Sequence, residues 1–243
     1  MQIIKLSAID STNEYLKNLV AEIHPADYTV VVARNQVKGK GQMGTSWHTE
    51  AGKNLTFSVL RNFSNFDMSN VFLLNCGVSM AIFKALQELK VPHLSVKWPN
   101  DILSGRLKIC GILVENIVKG SKLSHSVIGI GVNVNQLSFP NLPNASSLQV
   151  ILGHKVNKEK LLLAILNSLK HVFMQLENGQ GQHIRDAYEQ HLFMKDKRIP
   201  FSRADGSLCA GYIRGVSEDG RLRMTLDDET TVQFNLKEVK LLY

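Results

Sequence analysis

The chain has 243 residues, of which 44% are hydrophobic and 20% charged, a composition typical of a globular protein with room for one large and one small domain. No apolar run approaches the roughly 20 residues that a membrane span needs, and no secretory signal opens the chain, so we expect a cytoplasmic protein without membrane contact. Three scattered cysteines argue against a disulfide framework or a zinc cluster, and the dispersed net charge of +7 favours anionic substrates and an acidic protein partner over nucleic acid.

The first predicted element is a helix that begins at Ser11. The serine hydroxyl can cap the helix, and Glu14, three residues on, can complete a capping box. Further along, short β-branched runs predict strands, and longer runs with apolar residues at helical spacing predict helices. These elements are strands at 28–33 and 54–60, a helix at 70–89, strands at 94–97, 109–117 and 127–135, and helices at 158–176 and 183–192. Connections by both short loops and long helices predict a mixed-sheet α+β domain.

Beyond the last helix the pattern changes to short strands separated by turn-forming residues. The predicted strands lie at 198–201, 208–216, 222–226, 231–234 and 239–242. Asp-Gly turns between alternating strands are typical of a small antiparallel barrel. We therefore predict a domain boundary near Met194, with residues 1–193 in the first domain and residues 194–243 in the second.

The densest group of chemical side chains lies at residues 97–101 (KWPND) and 108–115 (KICGILVE). Two ammonium groups, an amide, a carboxylate and an indole surround one turn and one apolar strand. This is a composition suited to polyphosphate, a metal ion and adenine. Taken alone, however, the Pro-Asn-Asp sequence is better explained as a β-turn.

The glycine-rich segment 39–44 (GKGQMG) formally matches the dinucleotide-binding pattern G-x-G-x-x-G. That pattern requires a helix directly after it, whereas here a predicted strand follows, which argues against a Rossmann site. Glycine backbone can still approach a phosphate closely and direct its N–H groups toward it. A flexible hairpin loop is the alternative interpretation.

Six motifs together resemble the catalytic core of the biotin protein ligases, in the order and at about the spacings of that family. They are residues 11–13 (STN), the glycine loop with Trp47, and residues 52–55 (GKNL), 97–101, 108–115 and 129–133 (GIGVN). The resemblance implies a class II synthetase-like mixed-sheet catalytic domain and a C-terminal SH3-like β-barrel. It also implies a biotin–[acetyl-CoA-carboxylase] ligase, which uses ATP to make biotinyl-5'-AMP and transfers biotin to a lysine of the biotin carboxyl carrier protein.

The resemblance also assigns roles to residues. The predicted catalytic residues are Lys97, Asp101 and Lys108, with Asp101 as the Mg²⁺ ligand. The predicted biotin-binding residues are Ser11, Thr12, Asn13, Gln36, Lys40, Gly41, Gln42, Lys108 and Gly111. The predicted ATP-binding residues are Gly39, Lys40, Gly41, Trp47, Lys97, Asn100 and Asn133. In the family the residue that matches Lys108 contacts both the biotin carboxylate and the phosphate, so Lys108 is the strongest of these predictions.

These roles suit the chemistry, because nucleotidyl transfer depends on positioning and on neutralising crowded negative charge. One departure concerns Gln42, Met43 and Thr45, which stand where family members often have arginines. Lysine cannot form the bidentate contacts that the arginine guanidinium makes. We therefore expect Lys40 to bind the adenylate more weakly, or the loop to rely more on its backbone N–H donors. Core packing is the alternative for Trp47. Glu115 is a weaker candidate than Asp101 for holding Mg²⁺, with a structural salt bridge as its alternative.

Two rival functions remain open at this stage. A lipoate or octanoate ligase or transferase shares the fold, although Trp47 and the KWPND motif argue against it. A non-catalytic basic regulatory module is the other. Because the family motifs begin at Ser11, we expect no DNA-binding repressor domain and no specific nucleic-acid partner, while a homodimer is left open. Biotin-stimulated exchange between ATP and pyrophosphate distinguishes the three functions.

Overall fold

The computed structural model describes all 243 residues except the side chains of Asn65 and Ser69. Five α-helices and twelve strands make up the described regular structure. The helices are α1 (Thr12–Ile23), α2 (Val71–Glu88), α3 (Leu148–Leu152), α4 (Lys158–Glu177) and α5 (Gly181–Gln190). The strands are β1 (Gln2–Leu6), β2 (Thr29–Ala33), β3 (Leu55–Phe66), β4 (Leu94–Lys97), β5 (Asp101–Ser104), β6 (Leu107–Lys119), β7 (Lys122–Val132), β8 (Arg198–Arg203), β9 (Leu208–Val216), β10 (Leu222–Leu226), β11 (Thr231–Phe234) and β12 (Val239–Leu241).

The larger sheet has seven strands in the order β1-β2-β3-β7-β6-β5-β4. The β1–β2 pair is parallel and every other neighbouring pair is antiparallel, so the prediction of a mixed α+β sheet is confirmed. Successive residues of a strand face opposite sides of a sheet. Val30 accordingly joins the main core with α2 and α4, whereas Val31 packs with Leu16 of α1 on the other face.

Helix α1 begins as predicted, with Ser11 as its N-cap. The Ser11 hydroxyl accepts a hydrogen bond from the Glu14 backbone N–H at 3.5 Å. The second half of the capping box is wrong, because the Glu14 carboxylate accepts hydrogen bonds from Lys17 and Lys40 instead. Three elements were not predicted: β1, β5 and α3.

Among the described helices, α2 is long and apolar enough, with 18 residues, to cross a membrane by length and composition alone. Within the protein, 61% of that segment is buried. Leu74, Ile82 and Leu86 are fully enclosed between the large sheet and helices α4 and α5. The apolar composition is therefore accounted for by core packing.

The predicted C-terminal strands form a separate antiparallel sheet in the order β11-β10-β9-β8-β12. The last strand returns to pair with β8, but the two edge strands are not hydrogen-bonded to each other in the described structure, so the sheet is open rather than a closed barrel. The sheet also shares the main hydrophobic core through Ile199, Phe201 and Ile213. Trp98 Nε1 donates a hydrogen bond to the Gly220 carbonyl at 2.9 Å across this junction.

A chain truncated after Leu192 is therefore expected to lose cooperative folding. The deletion uncovers Trp98 and Phe72, which contact Gly220, and removes Phe193, and each large apolar side chain that loses its cover costs about 1.5–3 kcal/mol. Several such losses approach the whole stability of a domain, roughly 5–15 kcal/mol. Thermal unfolding followed by circular dichroism tests this, and a truncated chain with a sharp transition near that of the full chain would contradict it.

Candidate functional site

A cavity of about 600 Å³ opens beside the large sheet. Four parts of the chain enclose it: the start of α1, the glycine loop, the β4–β5 turn with the centres of β6 and β7, and the segment from Leu236 to Leu241. One row of residues crosses four adjacent strands at this place, since Asp101 pairs with Gly111, Gly111 with Gly131, and Gly131 with Thr56. Residues in such a row face the same side of a sheet, which here is the cavity.

One end of the cavity presents neutral hydrogen-bonding groups. Gln36 Oε1 accepts hydrogen bonds from the Thr12 backbone N–H at 2.8 Å and from Thr12 Oγ1 at 2.9 Å. Ser58 Oγ lies 2.7 Å from Thr12 Oγ1 and 2.5 Å from Asn13 Oδ1. Thr12, Asn13 and Ser58 are at most 3% exposed, so the network is held in a fixed arrangement.

Ion pairs behind this end fix Asn13 and the glycine loop. Glu115 accepts hydrogen bonds from Asn13 Nδ2 at 2.7 Å and from Lys17 Nζ at 2.8 Å. It therefore forms the structural salt bridge that the sequence analysis gave as its alternative. Glu14 accepts from Lys17 and from Lys40, each at 2.7 Å. These two hydrogen bonds lower the pKa of Glu14 below its usual value of 4.5, so its carboxylate stays charged and holds Lys40 at neutral pH.

Trp47 lies over two glycines of the sheet. A Cβ atom on Gly131 would meet the indole at 2.4–2.7 Å, and one on Gly111 would meet it at 3.0 Å. Any side chain at Gly131 would therefore displace the ring. The indole Nε1 is buried without a hydrogen-bond partner among the described residues, which leaves one donor available to a bound molecule.

Lys108 lies beside the indole. Its Nζ is 2.7 Å from Asp101 Oδ1 and 5.4 Å from the centre of the Trp47 ring. Gly111 provides the space for this arrangement, because a Cβ there would lie 3.3 Å from Lys108 Cε. The neighbouring Cys110 is enclosed in the core, and burial raises the pKa of its thiol, so the protein presents no thiolate nucleophile at Cys110.

The β4–β5 turn supplies Lys97 and Asn100. The Lys97 ammonium lies 5.0 Å from the centre of the Tyr243 ring, at the C-terminus of the chain. Asn100 is hydrogen-bonded to β6. Its side-chain Nδ2 donates to the Ile112 carbonyl at 2.5 Å, and its backbone carbonyl accepts from the Ile112 N–H at 3.0 Å. The geometry therefore gives Asn100 a part in holding the turn against β6.

The cavity brings together all of the predicted site residues except Gly39 and Asn133. Gly39 closes the base of the glycine loop by accepting a hydrogen bond from the Trp47 N–H at 2.9 Å. Asn133 is 4% exposed and lies behind β6, where its Nδ2 is 3.5 Å from the Lys108 carbonyl. The individual roles of all these residues stay predictions.

Sequence reasoning missed part of the lining. The missed residues are Met43, Thr45, Ser46, Thr56, Phe57, Trp98, Pro99, Ile112, Leu113, Gly129, Ile130, Gly131, Leu236, Lys237, Val239, Lys240 and Leu241. The alternation of β3, β6 and β7 could have indicated several of the sheet residues. The C-terminal group carries no motif, so nothing in the sequence signalled it.

Comparison with known proteins agrees with this architecture. The model of the biotin/lipoate A/B protein ligase family matches residues 6–133. The chain is 29% identical over 160 residues to the bifunctional ligase/repressor BirA of Bacillus subtilis, a match that covers 64% of this chain and 49% of that protein. It is 26% identical over 225 residues to the biotin–[acetyl-CoA-carboxylase] ligase of Mycobacterium tuberculosis, covering 91% and 82% of the two chains.

A solved structure extends the similarity to the C-terminal sheet. The biotin protein ligase from Aquifex aeolicus in complex with biotin and ATP superposes with a TM-score of 0.81 at 26% identity, covering 99% of this chain and 98% of that one. By contrast, the match to the Bacillus repressors spans only about half of their length. Since the family match extends over more than half of the 243 residues, the chain belongs to the biotin/lipoate A/B protein ligase family.

Proposed function

We propose that the chain is an ATP-dependent biotin protein ligase, which makes biotinyl-5'-AMP and then biotinylates a lysine of a biotin carboxyl carrier protein. The observation that carries this proposal is that one cavity is lined by neutral hydrogen-bonding groups, with Asn13 over Gly129, and by the Lys108–Asp101 pair beside Gly111. Biotin has a neutral ureido ring at one end and a carboxylate at the other, and ATP adds further negative charge beside that carboxylate. Similarity to a ligase solved with biotin and ATP supports the same assignment.

The neutral end suits the ureido ring. A urea offers one carbonyl acceptor and two N–H donors, and each costs free energy if it is buried without a partner. Thr12, Asn13 and Gln36 provide matching hydroxyl and amide groups in one hydrogen-bonded network, and Ser11 adds a buried hydroxyl beside them. The dithiolane ring of lipoate needs no such hydrogen bonds, so these groups favour biotin over lipoate.

In the first half-reaction a biotin carboxylate oxygen attacks the α-phosphorus of ATP, and the bond from that phosphorus to the pyrophosphate oxygen breaks. Lys108 would neutralise the two anions as they meet, by exchanging its present partner Asp101 for a substrate oxygen. Lys97, which pairs with Asp101 across the β4–β5 turn, would bind the phosphates as a second cation. Trp47 would give adenine an apolar face and orient Lys108.

Asp101 is the candidate Mg²⁺ ligand. No group of three or more His, Cys, Asp or Glu side chains that could hold a metal ion occurs in the described part of the chain. Mg²⁺ typically uses one or two carboxylates together with substrate phosphates, and Asp101 fits that smaller requirement once Lys108 has moved. An ion held there would neutralise phosphate charge.

In the second half-reaction the amine of a carrier lysine attacks the acyl carbon of biotinyl-AMP. An amide bond forms, the lysine nitrogen loses a proton, and AMP leaves with the electron pair of the broken acyl–oxygen bond. No protein nucleophile is required, in keeping with the neutral thiol of Cys110. The net charge of +7 suits an acidic carrier.

The proposal extends to the organisation of the protein. We assign the C-terminal sheet to the SH3-like class, with residues 1–193 and 194–243 as the two domains, on the basis of its five short antiparallel strands and the return of β12 to β8. We assign the protein to the cytoplasm, where ATP is available and where free Cys76, Cys110 and Cys209 would stay reduced. No specific nucleic-acid partner is proposed, and a homodimer is left open.

Exchange of labelled pyrophosphate into ATP tests the first half-reaction. We expect exchange only when biotin is added, with octanoate and lipoate as matched acids that give no signal. Labelling of a purified biotin carboxyl carrier domain, compared with the same domain lacking its acceptor lysine, tests the second half-reaction. Exchange supported by lipoate and not by biotin would replace the proposal with the lipoate function, and no exchange with any of these acids would refute ligation.

A further inference from the structure

The C-terminal sheet supplies one wall of the cavity. The turn after β11 and the strand β12 contribute Leu236, Lys237, Val239, Lys240 and Leu241 to the lining. Lys237 Nζ donates a hydrogen bond to the Met43 carbonyl at 3.3 Å, so the turn reaches the glycine loop across the cavity. The wall is therefore in contact with the loop that is expected to hold the phosphates.

The cavity has an excess of positive charge that its own carboxylates do not balance. Its lining includes one carboxylate, Asp101, and five lysines, namely Lys40, Lys97, Lys108, Lys237 and Lys240. Lys108 is paired with Asp101, and Lys40 is paired with Glu14 behind the loop. The other three make no ion pair with any described residue, so their charges are free to attract an anion.

Lys237 also has an uncommon backbone conformation. Its φ is +68°, in the left-handed region that favours glycine or asparagine. Met43, its partner in the glycine loop, has a φ of +52°. A strained residue near a binding cavity is a candidate for function, because glycine would satisfy the turn without strain. The side chain that lysine adds is a cation directed toward the loop.

Met43 and its neighbours carry no charge that could serve instead. Gln42, Met43 and Thr45 are neutral, and the one cation of the loop, Lys40, is held by Glu14. The Met43 carbonyl is a neutral acceptor, so a phosphate oxygen would be a stronger partner for the Lys237 ammonium. We propose that Lys237 binds phosphate oxygens of ATP and supplies the cation that the outer part of the glycine loop lacks.

This inference rests on the proposed ligase function and is tested with the full chain. Lys237→Gly removes the charge and suits the positive φ, so the turn should keep its fold. Lys237→Arg keeps the charge, and Lys155→Ala removes an exposed lysine outside the cavity as the matched control. Binding of ATP and of biotin can be followed separately by tryptophan fluorescence, because both tryptophans of the chain line the cavity.

For Lys237→Gly we expect the Kd for ATP to rise about tenfold, the loss of one charge-assisted hydrogen bond, with an equal rise in the KM for ATP in pyrophosphate exchange. The Kd for biotin and the melting temperature should not worsen. Lys237→Arg and Lys155→Ala should bind ATP within about twofold of the unmodified chain, well inside the factor of ten that marks one such contact.

Two results with an active unmodified chain would overturn the inference alone. One is ATP binding by Lys237→Gly that equals that of Lys155→Ala. The other is an equal loss of ATP and biotin affinity, because Lys237 would then act only by placing the glycine loop. An unmodified chain that neither binds ATP nor exchanges pyrophosphate would refute the proposed function and the inference together.

Discussion

Replacement of Lys108 by alanine is expected to slow formation of biotinyl-AMP about a hundredfold, or roughly 3 kcal/mol in the activation barrier, by analogy with the loss of an oxyanion donor. Lys108 Nζ lies 2.7 Å from Asp101 and beside the Trp47 ring, at the place where the carboxylate and the α-phosphate would meet. Its charge matters most as the pentavalent phosphorus forms. The affinity for biotin should fall much less, because Asn13, which is proposed to bind the ureido ring, lies over Gly129, two residues along β7 from Gly131 and the Trp47 ring.

Single-turnover rates of the two half-reactions test this expectation. Transfer from added biotinyl-AMP to the carrier should suffer least, since the phosphate ester has already formed. Arg106→Ala is a matched control that removes an exposed cation from the β5–β6 turn outside the cavity. Equal losses in both half-reactions, or adenylation by Lys108→Ala at the control rate, would show that Lys108 does not neutralise charge in the first step.

Stability should change little in this variant. The Lys108 and Asp101 side chains are 34% and 16% exposed, and ion pairs that reach solvent are typically worth about 0–1 kcal/mol. A large fall in the melting temperature would instead mean that the ion pair holds β5 against β6. The melting temperature would then be compared with that of Asp101→Asn, which breaks the same pair and leaves the lysine in place.

The sequence predicted the fold well where local patterns are decisive. The strands at 94–97, 208–216, 222–226 and 231–234 were predicted at their observed bounds, because Gly, Pro and Asp residues that favour turns lie on either side of these short runs. Strand β5 was missed because its four residues follow directly on the Pro99-Asn100 turn and are too few to show alternation. The prediction of a closed barrel was wrong. Closure requires hydrogen bonds between the edge strands β11 and β12, and no local sequence pattern encodes them.

The motifs of the site could be predicted from the sequence, but most of the residues that enclose the cavity around them could not. Gly129 and Gly131 are two apart, so the sequence alone places them on one face of a strand. It could not indicate that Asn13 and Trp47, each far away in the chain, would occupy the space above them. The C-terminal wall was missed for the same reason, since Lys237 comes close to Met43 only after both sheets have packed on one core.

Replacement of Gly131 by alanine is expected to reduce kcat/KM for adenylation about 10- to 100-fold, because a displacement of about 1 Å in a site can cost a hundredfold in rate. The new Cβ would lie 2.4 Å from the Trp47 ring, and the indole would have to move away from Lys108. The unfolding free energy should fall by about 1–3 kcal/mol, the usual cost of overpacking. The losses of rate and stability in Gly111→Ala should be smaller, because its Cβ would lie 3.0 Å from the Trp47 ring.

A double-mutant cycle with Trp47→Ala decides whether the indole carries this effect. If the loss arises from the clash, Gly131→Ala should cost almost nothing further once the ring is absent, so the two changes should be strongly non-additive in both adenylation rate and unfolding free energy. Additive losses would mean that Gly131 is needed for close approach of substrate to the backbone of β7. A Gly131→Ala chain with unchanged rate and stability would show that Trp47 does not lie on the glycine row in solution.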